Sequence, residues 1–189
     1  IRNCNRTDEG NREILMKGVH PMETLRFSDF LDSYIQTMPD SMQDGMLYRL
    51  TYAENLTRLT FYVTFPQLVP ANDLFSLEKT LQQALEIETV RIAPNYAATL
   101  CQTAYFPELL QLLKREQPVV NGFFDHAQIQ QDGQNWTITL KNGGYEIVQR
   151  YHVAEQLQNL LQRLFSVSIK VEILGEAAVS TESYQQMQE

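Results

Sequence analysis

Apolar residues recur along the chain with two different periods, and each period predicts one kind of secondary structure. Residues 46–52 and 59–65 alternate between apolar and polar positions, as strands with one buried face do. The polar stretch between them favours a tight turn, so the pair is predicted to form a β-hairpin with one apolar face. In the first of its strands, the predicted apolar positions are Met46, Tyr48, Leu50 and Tyr52.

Two further stretches alternate in the same way and are predicted to be strands. One contains Val90 and Ile92, and it is expected to stop at Pro94 because proline has no N–H to donate to a sheet. The other covers residues 167–173.

Other stretches carry apolar residues every three or four positions, which is typical of amphipathic helices. Residues 25–35 form the first of them, and this helix should end before Pro39. Asn72 and Asp73 are expected to cap a second helix, because short polar side chains accept hydrogen bonds from exposed backbone N–H groups. Its predicted buried stripe consists of Leu74, Leu77, Leu81 and Leu85.

Helical spacing returns in residues 105–113, where Pro107 is tolerated in the first turn. Pro118 should close this helix and can open another short one over residues 119–125.

A second hairpin is predicted next, with strands at 127–130 and 136–140 around a turn at 131–133. The apolar stripe that follows, in residues 147–165, predicts the longest helix of the chain.

The element order predicts an α+β fold with one or more mostly antiparallel sheets and helices packed on one face, because no run of strict βα repeats demands a doubly wound sheet. Residues 1–22 are expected to be a disordered or weakly docked leader, and residues 23–69 a small helix-plus-hairpin unit. Residues 70–176 are expected to form an α+β domain, and residues 177–189 to begin a linker or helix toward the rest of a longer chain.

The composition narrows the range of functions. Hydrophobic residues make up 43% of the 189 residues, enough for a buried core. The 23 acidic and 15 basic residues give a net charge of −8, which argues against general affinity for nucleic acid, since such affinity depends on Lys and Arg. No stretch has the roughly 18 to 20 consecutive apolar residues of a membrane span, so no membrane contact is expected.

Candidate chemistry is sparse. The chain has no phosphate-binding loop, nucleophile motif or metal-ligand spacing, so we expect no catalytic residue, metal or cofactor in it. His126 beside Asp125 is interpreted as part of a solvated turn, and His152 as an ordinary packing residue of the long helix. Cys101 is expected to fill space in the core.

Two groups of residues could contact a partner. Arg49, Arg58 and Tyr62 lie on the polar side of the first hairpin and mix cationic with aromatic groups, which suits a protein partner or an ordinary solvated sheet face. The second group could contact an anion, because glycines before a helix expose N–H groups at its positive end, although a tight strand-to-helix turn explains the glycines equally well. This group is Lys141, Gly143, Gly144 and Arg150.

Residues 23–176 resemble the N-terminal region of PolC-type DNA polymerase III α subunits in element order and apolar placement. The stretches that carry the resemblance are 59–66, 77–85, 90–92, 105–110 with Pro118, 136–142 and the helix end Leu164-Phe165. The resemblance implies a cytoplasmic bacterial replication protein. Its parent chain would be a nucleotidyltransferase that polymerises and proofreads DNA with catalytic aspartates outside this segment.

The resemblance also implies a function for the segment itself. We expect a non-catalytic module that binds replisome proteins, such as the τ subunit of the clamp loader. The second half is expected to be KH-like, although KH domains that bind nucleic acid use a Gly-x-x-Gly loop between helices, and this sequence offers only Gly143-Gly144. The alternative is a module of the same polymerase that binds single-stranded nucleic acid through Lys141 and Arg150. The sequence does not predict an oligomeric state.

Overall fold

The computed structural model of the chain describes residues 25–53, 57–118 and 122–175, and the backbone of residues 12–14. The chain divides into two compact units. The first unit comprises residues up to Cys101 together with Leu164–Ser166, and the second comprises Gln102–Arg163 and the residues from Val167 onward. Each unit has one mixed sheet with helices packed against it, and most strand pairs are antiparallel, which confirms the predicted α+β fold.

The first unit has a five-stranded sheet. Its strands are β1 (Arg12–Ile14), β2 (Leu25–Arg26), β3 (Met46–Tyr52), β4 (Arg58–Phe65) and β5 (Thr89–Tyr96). Strands β1, β2 and β4 are antiparallel to β3, whereas β5 is parallel to β4. Strand β1 belongs to the predicted leader 1–22, and the other residues of that leader lie outside the described part, as do residues 177–189.

The core of the first unit lies between one face of this sheet and two helices, α1 (Phe27–Leu31) and α2 (Ala71–Leu85). Phe61 of β4 is 1% exposed, and its ring centroid lies 5.5 Å from that of Phe27. The predicted leucine stripe of α2 is buried at Leu74, Leu77 and Leu81. The stripe is therefore confirmed over its first three positions, while Leu85 is only partly buried.

Two predictions about helix ends in this unit are wrong. Helix α1 stops at Leu31 instead of continuing to Ile35, and Tyr34, which should have extended the buried stripe, is 48% exposed. Helix α2 begins at Ala71, and Pro70 takes the capping position. Asp73 instead accepts a hydrogen bond from the Ser41 hydroxyl at 2.6 Å.

The predicted stop at Pro94 is also wrong, because β5 continues through it to Tyr96. Strand β5 lies at the edge of the described sheet. Ile92 points its N–H away from β4, toward Glu78 of α2, and Pro94 has the same orientation because it is two residues further along the strand. The missing N–H of Pro94 therefore falls on the outer edge, where no ladder bond is lost.

The second unit has a three-stranded sheet of β6 (Gln128–Asp132), β7 (Asn135–Thr139) and β8 (Lys170–Leu174). Strand β7 lies in the middle, antiparallel to β6 and parallel to β8. The helices of the unit begin with α3 (Phe106–Glu116), which carries Pro107 in its first turn as predicted. Helix α4 (Tyr145–Arg150) and helix α5 (Val153–Phe165) follow β7.

Four details of the second half differ from the predictions. The hairpin turn is at Gly133-Gln134, because residues 131 and 132 still pair with β7. Residues 122–126 form turns and not a helix, while residues 119–121 lie outside the described part. The last strand begins at Lys170 and not at residue 167.

The fourth difference is that the predicted long helix is two helices. His152 has a left-handed backbone with φ of 51°, which separates α4 from α5. The predicted stripe residues Ile147 and Tyr151 are 40% and 44% exposed. Val148 and Val153 are buried in their place, so the core-facing stripe changes its position at the break.

The two units share one order of elements, since each has a hairpin, a helical crossover and a third strand parallel to the second hairpin strand. Strand β5 therefore groups with the first hairpin, even though it lies in the predicted 70–176 domain. The predicted division of the chain into 23–69 and 70–176 remains a prediction. In the structure, the sequence boundary between the two compact units falls after Cys101, with Leu164–Ser166 belonging to the first unit.

Candidate protein-interaction surface

The first sheet buries one face against α1 and α2 and leaves the opposite face partly exposed. Alternation along β4 and β5 assigns each side chain to one of these faces. In the pairing register, Thr60 lies beside Arg91 and Tyr62 beside Ala93 on the exposed side. We call this the outer sheet face, and its residues considered below are Tyr48, Arg49, Arg58, Thr60, Tyr62 and Arg91.

A β-bulge in β3 shapes the outer sheet face. Leu47 pairs with Val63 and Arg49 pairs with Tyr62, so Tyr48 is an extra residue opposite the continuous strand β4. The alternation therefore changes phase at this point. Leu47 is 3% exposed and Tyr48 is 51% exposed, which contradicts the prediction that Tyr48 lies on the apolar face.

Because of the bulge, Tyr48 and Arg49 both reach Tyr62. The guanidinium carbon of Arg49 lies 3.8 Å from the centroid of the Tyr62 ring, a cation–π contact. The rings of Tyr48 and Tyr62 are 6.2 Å apart between centroids and tilted by 57°. The structure thus brings the predicted residues Arg49 and Tyr62 together and adds Tyr48, which the alternation had assigned to the other face.

Partial burial raises the pKa of the Tyr48 hydroxyl above its ordinary value, and the Tyr62 hydroxyl adds to the increase. The positive charge of Arg49 lowers the pKa of Tyr48, but by less than burial raises it. At neutral pH the hydroxyl is therefore protonated and can donate a hydrogen bond to a partner.

Arg58 and Arg91 add two further guanidinium groups to the outer sheet face. Arg58 begins β4 and is exposed, and its contact with a partner remains a prediction. The Nη1 atom of Arg91 lies 3.3 Å from Oε2 of Glu78, and the Arg91 side chain is 42% exposed. Among the described residues of β3, β4 and β5 on this face there are three arginines and no acidic residue, and the carboxylate paired with Arg91 comes from α2.

The second predicted group lies around the start of α4. Gly144 precedes the helix with φ of 80°, and a Cβ atom there would overlap the ring of Phe123. Gly143 also has a left-handed backbone, with φ of 72°. Turn geometry and packing thus give both glycines a structural role, and the predicted anion contact with Lys141 and Arg150 remains a prediction.

The junction between α4 and α5 is the place where a KH domain would carry its Gly-x-x-Gly loop. Here the junction is Tyr151-His152, so Gly143 and Gly144 lie before the helix pair and not within it. The KH-like character of the second half remains a prediction.

The sequence also singled out His126, His152 and Cys101 as residues with possible chemistry. His126 and Asp125 are exposed in a turn, as predicted. His152 is not a packing residue within a helix, because it lies exposed at the α4–α5 junction with Nδ1 3.6 Å from Oε1 of Glu155. Burial raises the pKa of Cys101, so its thiol is protonated at neutral pH and is a poor nucleophile, although the residue is only half-buried.

The described residues contain no group of three or more His, Cys, Asp or Glu residues that could hold a metal ion. None of the helices in that part of the chain is long and apolar enough to cross a membrane.

Comparison with known families identifies the chain. Residues 26–93 match the family model for DNA polymerase III polC-type N-terminus I, and residues 104–189 match the model for N-terminus II. The chain belongs to the PolC-type DNA polymerase III family. No curated protein and no solved structure matches it.

The two PolC matches correspond to the two compact units. Region I lies within the first unit, and region II begins two residues after the start of the second unit at Gln102. Both matches are to N-terminal, non-catalytic regions of the polymerase, and its catalytic domains are not matched. The chain therefore has a role in DNA replication.

Proposed function

We propose that this PolC segment is a protein-interaction module of the replisome, and that its outer sheet face contacts the τ subunit of the clamp loader. The contact of Arg49 with Tyr62, with Tyr48 beside it, is the observation that supports this proposal. The module acts in the cytoplasm as part of a longer polymerase chain, in which other regions supply the catalysis.

The cluster formed by Tyr48, Arg49 and Tyr62 has the composition of an interaction hot spot. Tyr and Arg are among the residues that contribute most to binding energy at protein interfaces. Arg49 and Tyr62 are each half-buried and already in contact, so their side chains lose little conformational freedom when a partner binds. Tyr48 supplies exposed aromatic area beside them.

Charge gives the surface its selectivity. The exposed Arg58 at the start of β4 should attract an acidic surface of a partner and speed association at low salt. The net charge of −8 repels other acidic proteins from the rest of the chain, which favours approach to this face.

Isothermal titration calorimetry of the 189-residue chain with purified τ tests the proposal. We expect Arg49→Ala and Tyr48→Ala each to weaken binding by about tenfold or more, as truncation of a hot-spot residue does. Lys79→Ala is the matched control, because Lys79 is an exposed cation on α2, and it should bind like the unaltered chain.

Thermal melting of each variant separates lost binding from lost folding. The absence of any heat on mixing the unaltered chain with τ would overturn the assignment of τ. Equal loss in Lys79→Ala and Arg49→Ala would overturn the assignment of the outer sheet face.

A further inference from the structure

Strand β6 forms one edge of the second sheet, and its outer side carries backbone groups that point away from the sheet. Leu140, directly after β7, donates its N–H to the end of β8, so alternation directs the backbone groups of Ile138 and Trp136 to β8 as well. Their opposite residues in β6, Ile129 and Gln131, therefore direct their N–H and C=O groups away from β7. We call this side the outer edge of β6.

The outer edge of β6 is open in the described part of the chain. The backbone groups of Ile129 and Gln131 have no hydrogen-bond partner there. The turn Thr103–Tyr105 passes near the strand, but it forms no backbone hydrogen bond with it. Four of the five residues of β6 are exposed, so another strand can reach this edge.

The chain treats its two parallel edge strands differently. In β5, the outward N–H of Ile92 donates to Oε1 of Glu78 at 2.8 Å. In β8, the outward N–H of Val171 donates to Oε1 of Gln158 at 2.9 Å. Both side chains occupy the place of a further strand, which is one way in which proteins prevent edges from pairing.

Strand β6 lacks such protection. Besides blocking side chains, natural edge strands are protected by proline, by lysine or by a bulge that twists the edge away. Strand β6 contains no proline and no lysine, and its register with β7 is regular. Asp132, at its end, is its single charged residue.

A second copy of β6 fits this edge in the antiparallel orientation. With a two-fold axis at Gln130, Ile129 lies opposite the partner subunit's Gln131, and Gln131 lies opposite the partner's Ile129. Both pairs consist of outward-facing residues, so in each pair the two residues exchange N–H···O=C bonds in both directions. The two three-stranded sheets then become one continuous sheet.

The side chains of β6 are self-complementary in this register. The Gln130 amide meets the same amide across the axis, and an amide both donates and accepts hydrogen bonds. Asp132 lies opposite the partner's Gln128, whose amide can donate to the carboxylate. Like charges directly opposite each other would destabilise the pair, and this register has none.

We propose that the chain forms a two-fold symmetric dimer in which the outer edge of β6 pairs with the same edge of a second copy. Such a contact is isologous, because each copy contributes the same residues. It is limited to residues 128–132, since Gly133 turns the chain away with φ of 55° and the Ala127 N–H is bonded to Phe124. A contact of this size makes a weak dimer that forms at high protein concentration.

The polar side chains of β6 favour a second copy over an unrelated strand. An apolar strand would leave the amides of Gln128 and Gln130 without hydrogen-bond partners, which costs free energy. A strand with an acidic residue opposite Asp132 would be repelled. The dimer uses the second unit alone, so the inference does not depend on the outer sheet face or on τ.

Sedimentation equilibrium of the 189-residue chain tests the inference at protein concentrations up to about 1 mM, the range in which weak contacts associate. We expect a monomer–dimer equilibrium. It should shift toward the dimer when salt is added, because two copies with a net charge of −8 repel each other. A monomer at every protein and salt concentration would overturn the inference.

Two variants with the same change of charge test the register. Gln128→Lys places a cation opposite the partner's Asp132 and should tighten dimerisation by about twofold or more. Gln130→Lys places two cations opposite each other at the axis and should weaken dimerisation by a similar factor. Both residues are exposed on the same face of β6, so each variant is the control for the other. Equal effects would show that the copies associate through another surface.

Nuclear magnetic resonance of the ¹⁵N-labelled chain locates the contact without any substitution. Raising the protein concentration should shift the backbone signals of Ile129 and Gln131, whereas the signal of Val171 should stay, because Gln158 occupies its N–H. This measurement decides the matter should either variant fail to fold. Concentration-dependent shifts that leave out Ile129 and Gln131 would contradict the proposed dimer.

Discussion

Glu78 accepts a hydrogen bond from the backbone N–H of Ile92 across the outer edge of the first sheet, at 2.8 Å. A carboxylate buried in this way replaces the strand that would otherwise cover the edge, and an uncovered edge invites pairing with another chain. Glu78 lies on α2, fourteen residues before Ile92, so this hydrogen bond also holds α2 against β5.

We expect Glu78→Ala to destabilise the chain by about 1–3 kcal/mol, the cost of leaving a buried donor without an acceptor. Glu78→Gln keeps an acceptor and should cost less. Urea unfolding of both variants measures the difference, with Glu88→Ala as an exposed control expected to stay within about 0.5 kcal/mol of the unaltered chain. Equal losses in the alanine and glutamine variants would show that the acceptor is not what stabilises the edge.

The cores of the two units provide a second prediction. Phe61 and Leu81 in the first unit and Leu161 in the second are at most 1% exposed. Replacing any of them by alanine should lower the free energy of unfolding by roughly 2–5 kcal/mol, because a cavity remains beside the lost apolar contacts. Denaturant unfolding checks this, and a loss below about 1 kcal/mol at any of the three would contradict its burial.

The glycines before α4 differ in what an added methyl group would meet. Gly143→Ala and Gly144→Ala both put a side chain on a left-handed backbone, which costs about 1–2 kcal/mol. Only at Gly144 does the new atom overlap Phe123. We therefore expect Gly144→Ala to lower the melting temperature more than Gly143→Ala, and the reverse order would argue against the packing described here.

The raised pKa of Tyr48 predicts that the free energy of unfolding falls at alkaline pH. Its pKa is raised in the folded chain, chiefly by burial, so the folded state keeps the phenol proton at pH values where the unfolded state loses it. Stability should therefore fall as the pH rises through 10.0, the ordinary tyrosine value. Urea unfolding at several pH values around that point should show a shallower decline in Tyr48→Phe, and identical declines in both proteins would contradict the assignment.

Single-stranded nucleic acid offers a test of the alternative function. With a net charge of −8 and no Gly-x-x-Gly at the helix junction, we expect little affinity for a labelled oligonucleotide. Lys141→Glu and Arg150→Glu should change that affinity little in fluorescence anisotropy. A salt-sensitive affinity that falls in both variants would favour nucleic-acid binding over the protein-interaction function.

Periodicity alone predicted the fold class because it is a local property of each strand and helix. The first three leucines of the α2 stripe and the alternating positions of β4 and β7 are examples in which local pattern and tertiary burial agree. Pro94 is the opposite case, because its tolerance depends on β5 being an edge strand, which only the pairing with β4 reveals. The break at His152 likewise depends on a backbone angle that no apolar period encodes.

The candidate site residues likewise divide into those that a local pattern assigns and those that only strand pairing places. Arg49, Arg58 and Tyr62 could be assigned to the outer sheet face because they alternate with apolar neighbours. Tyr48 was missed because a bulge changes the phase of the alternation, and a bulge depends on pairing between strands.

The extra residue at Tyr48 also determines how the first hairpin can align. A uniform hairpin can slide by two residues and keep its apolar side inward, but a strand with one phase change has a single alignment in which both halves match. On the side before the change Leu47 must face inward, and on the side after it Leu50 must do so. Only one setting of the two strands satisfies both demands, so the irregularity that exposes Tyr48 also protects the nascent hairpin from mispairing.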